Sequence, residues 1–205
     1  MSEPSPATTP DNLRICVVGD ELVAGMGDPR ALGWVGRVMA RTPAEPPALV
    51  VPLAVPHETT TALSARWETE ADRRFAPPPA DNRLVIGLGS SDLTRDVSLA
   101  RSRLNLANML DAAAVKRVGT FVVGPPPRPD IDGARIAELS NAFADVCLRR
   151  RVPYVETYAP LRTHDQWLSD VASGDGVRPA QAGYGLLAWL VLHNGWHDWL
   201  GVDAE

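Results

Sequence analysis

The chain has 205 residues, 45% of them apolar, and a formal net charge of −5. That length suits one α/β domain with a sizeable core, and that composition excludes a disordered chain. The net negative charge, with basic residues scattered along the sequence, excludes a nucleic-acid binder that relies on many phosphate contacts.

Residues 1–11 are rich in Pro, Ser and Thr and lack an apolar core, so they read as a flexible tail and not as a signal peptide. Residues 12–205 read as a single domain. Leu13 to Val18 is a short apolar, β-branched run, hence a buried strand. The loop from Gly19 to Arg30 follows it. Residues 31–41 have helical spacing, with Leu32, Val35, Val38 and Met39 on one face. Residues 48–54 form a second strand between Pro-rich stretches. Thr59 or Thr60 can cap a helix that runs to Arg74, with Leu63 and Trp67 on one side.

Residues 83–88 form the third strand, ending in Gly89-Ser90-Ser91-Asp92. A long amphipathic helix over 97–114 follows, with Leu99, Leu104, Leu106 and Leu110 as apolar positions. Residues 117–123 form the fourth strand, which the Gly124-Pro125-Pro126-Pro127 turn ends. A helix over 131–150, a short fifth strand at 152–155, a short helix at 167–172 and a closing helix over 180–199 complete the chain. Strands alternate with helices throughout, which predicts a three-layer α/β/α domain around a five-stranded parallel sheet.

In such a sheet the loops after the strands converge at the carboxyl edge, where ligands bind. Four loops are unusually polar: Asp20 with Glu21, His57 with Glu58, Ser90 to Asp92, and Asp175 to Arg178. Their segments stand in a familiar order. Val17 to Leu22 reads Val-Val-Gly-Asp-Glu-Leu. Residues 52–67 run from Pro52 through His57 to Trp67. Residues 85–93 read Val-Ile-Gly-Leu-Gly-Ser-Ser-Asp-Leu, and residues 175–184 run from Asp175 through Arg178 to Tyr184. From Leu13 to about Leu200 the chain resembles the SGNH, or GDSL-type, hydrolases, of flavodoxin-like architecture.

The resemblance implies a serine nucleophile, a histidine base oriented by an aspartate, and an oxyanion hole made by the serine amide, a glycine amide and an asparagine side chain. At those positions stand Glu21 for the serine, His57 for the glycine, Ser91 for the asparagine and Arg178 for the histidine. Asp175 survives from the triad. Asp20 and Asp92 survive as the family's loop anchors. A carboxylate makes poor acyl-enzyme esters, and an arginine stays protonated, so it cannot be a general base. Ordinary serine ester hydrolysis is therefore expected to be lost.

Two readings follow. In one, Glu21 and Arg178 form an ion pair that fills a silent site, and the pocket still takes a small acyl or ester-like molecule. In the other, Glu21 is a carboxylate base or nucleophile toward an ester, lactone or epoxide. Arg178 then stabilises an anion or carbonyl oxygen, with His57 and Asp175 as the nearby bases. Glu21, His57, Asp175 and Arg178 are the catalytic candidates. Asp20, Ser90, Ser91 and Asp92 are the substrate-binding candidates. Glu21, His57, Ser91, Asp92, Asp175 and Arg178 are expected to line one cleft.

No cofactor is implied. The Gly19 loop lacks a phosphate-cradling glycine pattern. Asp20, Glu21, Asp92 and Asp175 could supply oxygens to a hard cation, but Arg178 would bring its charge into the same cleft. His193 and His197 have helical ligand spacing, yet Asn194 stands where the zinc-protease motif has its glutamate. Helix-end packing is the preferred reading there. Trp34, Trp67 and Trp189 fall on apolar helix faces and read as core, and Cys16 and Cys147 as small buried residues. No apolar run reaches membrane-span length, and the expected compartment is the cytoplasm.

Overall fold

Strand β1 (Leu13–Gly19) divides the interior in two, because successive side chains on a strand point to opposite faces. Leu13, Ile15 and Val17 join one core cluster; Cys16 and Val18 join the other. Both faces of the strand are covered, which is why its sequence is a near-continuous apolar run.

The computed structural model describes residues 12–203; the segment read as an N-terminal tail, 1–11, lies outside them. Its sheet contains β2 (Leu49–Ala54), β3 (Asp81–Gly87), β4 (Gly119–Val123) and β5 (Tyr154–Val155) besides β1. All neighbouring strands are parallel, in the order β2-β1-β3-β4-β5. The five-stranded parallel α/β/α architecture is thus as expected.

Helices α1 (Gly33–Met39), α7 (Asp165–Ser173), α8 (Gln181–Val191) and α9 (His197–Leu200) supply the core on one face, through Trp34, Trp167, Tyr184 and Leu200 among others. Helices α2 (Thr60–Asp72), α4 (Leu99–Val115) and α5 (Gly133–Arg150) cover the other, through Leu63, Leu106 and Phe143. Their starts are capped, at Thr59 as the sequence suggests. The side chains of Thr59, Ser98 and Asp132 accept from the amides of Ala62, Arg101 and Ala134. Two short helices, α3 (Ser91–Thr94) and α6 (Tyr158–Leu161), were not legible in the sequence.

Several expectations need correction. The closing helix does not run unbroken to Trp199. It is interrupted at Asn194 (φ −124°, ψ 55°) and Gly195 (φ +87°), a conformation glycine tolerates and a helix cannot contain. Trp189 is not core: it is 55% exposed. Tyr184, Leu187, Ala188 and Val191 form the buried i, i+3, i+4, i+7 stripe of α8, and Trp189 lies beside it. Leu104 is exposed for the same reason, since α4 buries the stripe Ser102, Asn105, Leu106, Met109, Leu110 and Ala113. Leu32 precedes α1 and is exposed. Trp34 and Trp67 are buried as expected, and so are both cysteines, whose thiols burial pushes up to about 11 for Cys16 and about 12 for Cys147.

The strand order reverses direction at β1, since β2 lies on one side of it and β3 on the other. The crevice at such a switch point is where open α/β sheets bind ligands. Gly19 and Gly87 are register partners at that carboxyl edge. A Cβ on Gly19 would lie 2.2 Å from the Gly87 carbonyl oxygen, so only glycine permits this approach.

Candidate active site

The turn after β1 is tight. The carbonyl of Asp20 accepts from the amides of Val23 and Ala24, and that of Glu21 from Met26. Asp20 Oδ1 accepts from the Leu22 amide at 3.0 Å, which folds the side chain back over its own turn. The carboxylate then lies against Gly89, where a Cβ would meet Asp20 Oδ2 at 1.7 Å. Asp20 is 4% exposed. Burial, and then the neighbouring charge of Glu21, push its carboxyl up to about 7.

Glu21 is equally buried. Its Oε2 accepts from the backbone amide of His57 at 2.6 Å, and its Oε1 lies 3.3 Å from His57 Nδ1. His57 has φ +59°, the left-handed conformation that suits a glycine, although a histidine stands there. Its ring is more than half exposed, so it points outward and leaves the amide to Glu21.

Asp92 is an anchor. It is 1% exposed, and its Oδ1 accepts from the Thr60 amide at 2.7 Å. Its Oδ2 accepts from the Thr60 hydroxyl at 2.7 Å and from the Ser102 hydroxyl. One carboxylate thus ties the start of α2 to α4. Glu58 makes a second buried connection, a forked pair with Arg66, whose guanidinium also donates to the Leu53 carbonyl. Burial raises the Glu58 carboxyl. Ser90 and Ser91, 1% and 2% exposed, have hydroxyl oxygens with no hydrogen-bond partner among the described residues.

The loop before α8 behaves differently. Asp175 Oδ1 accepts from the amides of Val177 and Arg178, and Oδ2 from Arg178 Nε at 2.5 Å. The Arg178 amide, and behind it the Val177 amide and the Arg178 guanidinium, hold the Asp175 carboxyl down at about 2. The expected Glu21–Arg178 pair is absent. Glu21 is held by His57, and Arg178 by Asp175 three residues away. For Arg178, a neighbour in the same turn needs no ordering of a distant loop, so the local partner wins.

Asp20, Glu21, Ser90 and Arg178 line one cavity, together with Arg128 and Trp167. Its free volume is about 10 Å³, room for a single water. Asp92 and Asp20 border a second cavity of the same size, with Glu58 and Thr60. His57 reaches the site through Glu21. Ser91 and Asp175 are not part of the lining of the first cavity, so the single six-residue cleft is only partly realised. Arg128 and Trp167 were missed by the sequence reading. Arg128 follows the proline turn after β4, and the convergence of post-strand loops was the signal that points to it. Among the described residues no group of three or more His, Cys, Asp or Glu is placed to hold a metal ion.

A five-stranded parallel sheet with two acids, a serine and two arginines gathered at its carboxyl switch point defines a three-layer α/β/α protein with a polar site at that edge. The chain belongs to the GDSL-like lipase/acylhydrolase family, whose model matches residues 17–186. Among solved structures it is similar to the lipase/acylhydrolase from Enterococcus faecalis, with 21% identity, TM-score 0.74, and 94% of this chain and 98% of that one covered. It is also similar to TesA, with 22% identity, TM-score 0.72, and 89% and 97% covered. Axe2, an acetylxylan esterase from Geobacillus stearothermophilus, shares 17% identity at TM-score 0.74, with 98% and 100% covered. At these identities the likeness is one of fold. No curated protein matches the chain in sequence.

Proposed function

We propose that this chain is a non-hydrolytic member of its family, a small-molecule-binding protein whose ancestral catalytic pocket is closed by its own side chains. The observation that carries this reading is the hydrogen bond from the His57 amide to the Glu21 carboxylate. By resemblance, that amide belongs to the oxyanion hole and Glu21 stands at the nucleophile. The protein's own carboxylate therefore occupies a donor that the transition state of acyl transfer would need. Arg178, at the position of the base, is held by Asp175 and carries no lone pair to accept a proton. The unpartnered hydroxyl of Ser90, which lines the cavity, supports retention of a polar ligand group, because a buried donor without a partner is costly. An acyl or ester-like molecule in the cytoplasm is the proposed ligand class; to enter the cavity of about 10 Å³ it must move the Glu21 side chain off the His57 amide.

A second reading is favoured by Asp20 and Glu21 lying side by side, with Asp20 pushed up to about 7. A buried carboxyl near neutrality beside a carboxylate is an acid–base couple, suited to opening an epoxide or lactone at Glu21.

The test is a turnover screen with short acyl esters, lactones and epoxides, run on the chain and on Glu21→Ala. The first reading expects no turnover above background from either protein, and no labelling by serine-directed phosphonates. Turnover that Glu21→Ala abolishes, with the fold intact, would establish the second reading. Glu21→Ser alone should remain inactive, since Arg178 cannot deprotonate it. The combination Glu21→Ser, His57→Gly, Ser91→Asn and Arg178→His asks whether the scaffold still supports hydrolysis.

A further inference from the structure

An open groove of about 830 Å³ lies away from the catalytic edge, between α1 and α8. Its walls include Leu32 and Trp189, 47% and 55% exposed. Trp189 is held in place: its ring stacks on His193 at 4.3 Å, and His193 Nδ1 lies 2.8 Å from its carbonyl oxygen. The floor includes Gly185, where an added Cβ would meet nothing within 4 Å. Trp189 thus presents a fixed, exposed indole beside an open trough.

The charge on this groove has a sign. Arg30, Arg37 and Arg41 line it. Arg37 is neutralised by Asp28. Arg30 and Arg41 are exposed, and no carboxylate pairs with either guanidinium among the described residues. The acid on the groove, Asp170, is occupied in accepting from the amides of Ala180, Ala182 and Gly183 at the start of α8. In a chain of net charge −5, the groove therefore presents two unpaired cations around an apolar slot.

We propose that the α1–α8 groove docks an acidic segment of a partner protein carrying an apolar anchor side chain. The anchor would lie over Gly185 against Trp189 and Leu32, and its flanking carboxylates would meet Arg30 and Arg41. Tryptophan and arginine are the side chains most enriched where interfaces concentrate their binding energy. Charge complementarity would set the choice of partner and the speed of encounter. An open trough suits an extended or helical segment better than a small molecule, which binds where most of its surface is enclosed.

The experiment titrates the full chain into a fluorescein-labelled peptide of about a dozen residues, Asp- and Glu-rich with a central Phe, followed by anisotropy. Saturable binding is expected, weakened by salt. Gly185→Leu fills the trough where nothing obstructs it and raises helix propensity, so it keeps the fold; it should weaken binding about tenfold or more. Arg30→Glu with Arg41→Glu should do the same, and so should exchanging the peptide's acids for lysines. Equal affinity for the acidic and basic peptides, or binding untouched by Gly185→Leu, would overturn the proposal. So would absence of saturation up to about 1 mM. Sedimentation of the chain alone supplies the last arm: a concentration-dependent dimer that Gly185→Leu abolishes would assign the groove to a second copy and also overturn it.

Discussion

The two halves of the candidate site are held in opposite ways. The half built on the loops after β1, β2 and β3 is buried, and two of its acids connect distant elements. Asp92 joins α2 to α4 and Glu21 binds His57 thirty-six residues away, while Glu58 grips Arg66 nearby. The half before α8 is exposed and closes on itself, with Asp175 satisfied by its own turn. In a working triad the two halves would meet through a proton transfer. Here each has found partners within itself, so the inner half serves the fold and the outer half is nearly independent of it.

That contrast can be broken by experiment, beginning where the effect is largest. Arg66→Met strands the Glu58 side chain, 3% exposed, without its cation. Chemical denaturation should report a loss of about 3–5 kcal/mol. If the loss is under about 1 kcal/mol, the inner half is no more integral than a surface pair.

Asp20 gives the inner half a pH signature. Its folded value of about 7 lies above the ordinary carboxyl value, so the folded state holds a proton that the unfolded chain has released. Stability should therefore fall as pH rises from about 4 to 7, by an amount on the order of 4 kcal/mol. Asp20→Asn keeps an acceptor for the Leu22 amide and should flatten that limb. A wild-type stability curve with no decline across the window would remove the buried proton. Asp175, held at about 2, acts with the opposite sign: its small contribution is present above about pH 4 and is lost below.

Asp92→Ala should cost about 3 kcal/mol, because the Thr60 amide, the Thr60 hydroxyl and the Ser102 hydroxyl lose their acceptor together. Smallest of all is the link between the halves. Arg178→Met removes a partly exposed local pair and should cost roughly 1 kcal/mol or less. A double-mutant cycle with Glu21→Gln should give a coupling energy within about 0.5 kcal/mol of zero. A substantial coupling would mean that the halves communicate after all.

The alternation of apolar runs was enough to read the parallel sheet, because strands buried on both faces leave an unmistakable continuous pattern. Stripes were harder to assign. Trp189 and Leu104 are as apolar as their neighbours, and only the direction of α8 and α4 against the sheet decides that they face water. The break at Gly195 was visible as a glycine, but its left-handed backbone was not. Arg128 and Trp167 were not read as site residues because nothing local marks them: their place depends on how the β4 loop and α7 fold over the switch point.

The sequence alone determined the family, since that depends on residue identity and order along the chain. It determined equally that Arg178 cannot act as a base, which is a property of the guanidinium itself. Partners were another matter. Opposite charges suggested that Glu21 meets Arg178, but each side chain has another partner. Arg178 donates to Asp175 in its own turn, and Glu21 accepts from the His57 amide on the loop after β2. Which groups come within hydrogen-bonding distance, and that the pocket narrows to about 10 Å³, depends on loop paths through three dimensions, and those only the tertiary structure decides.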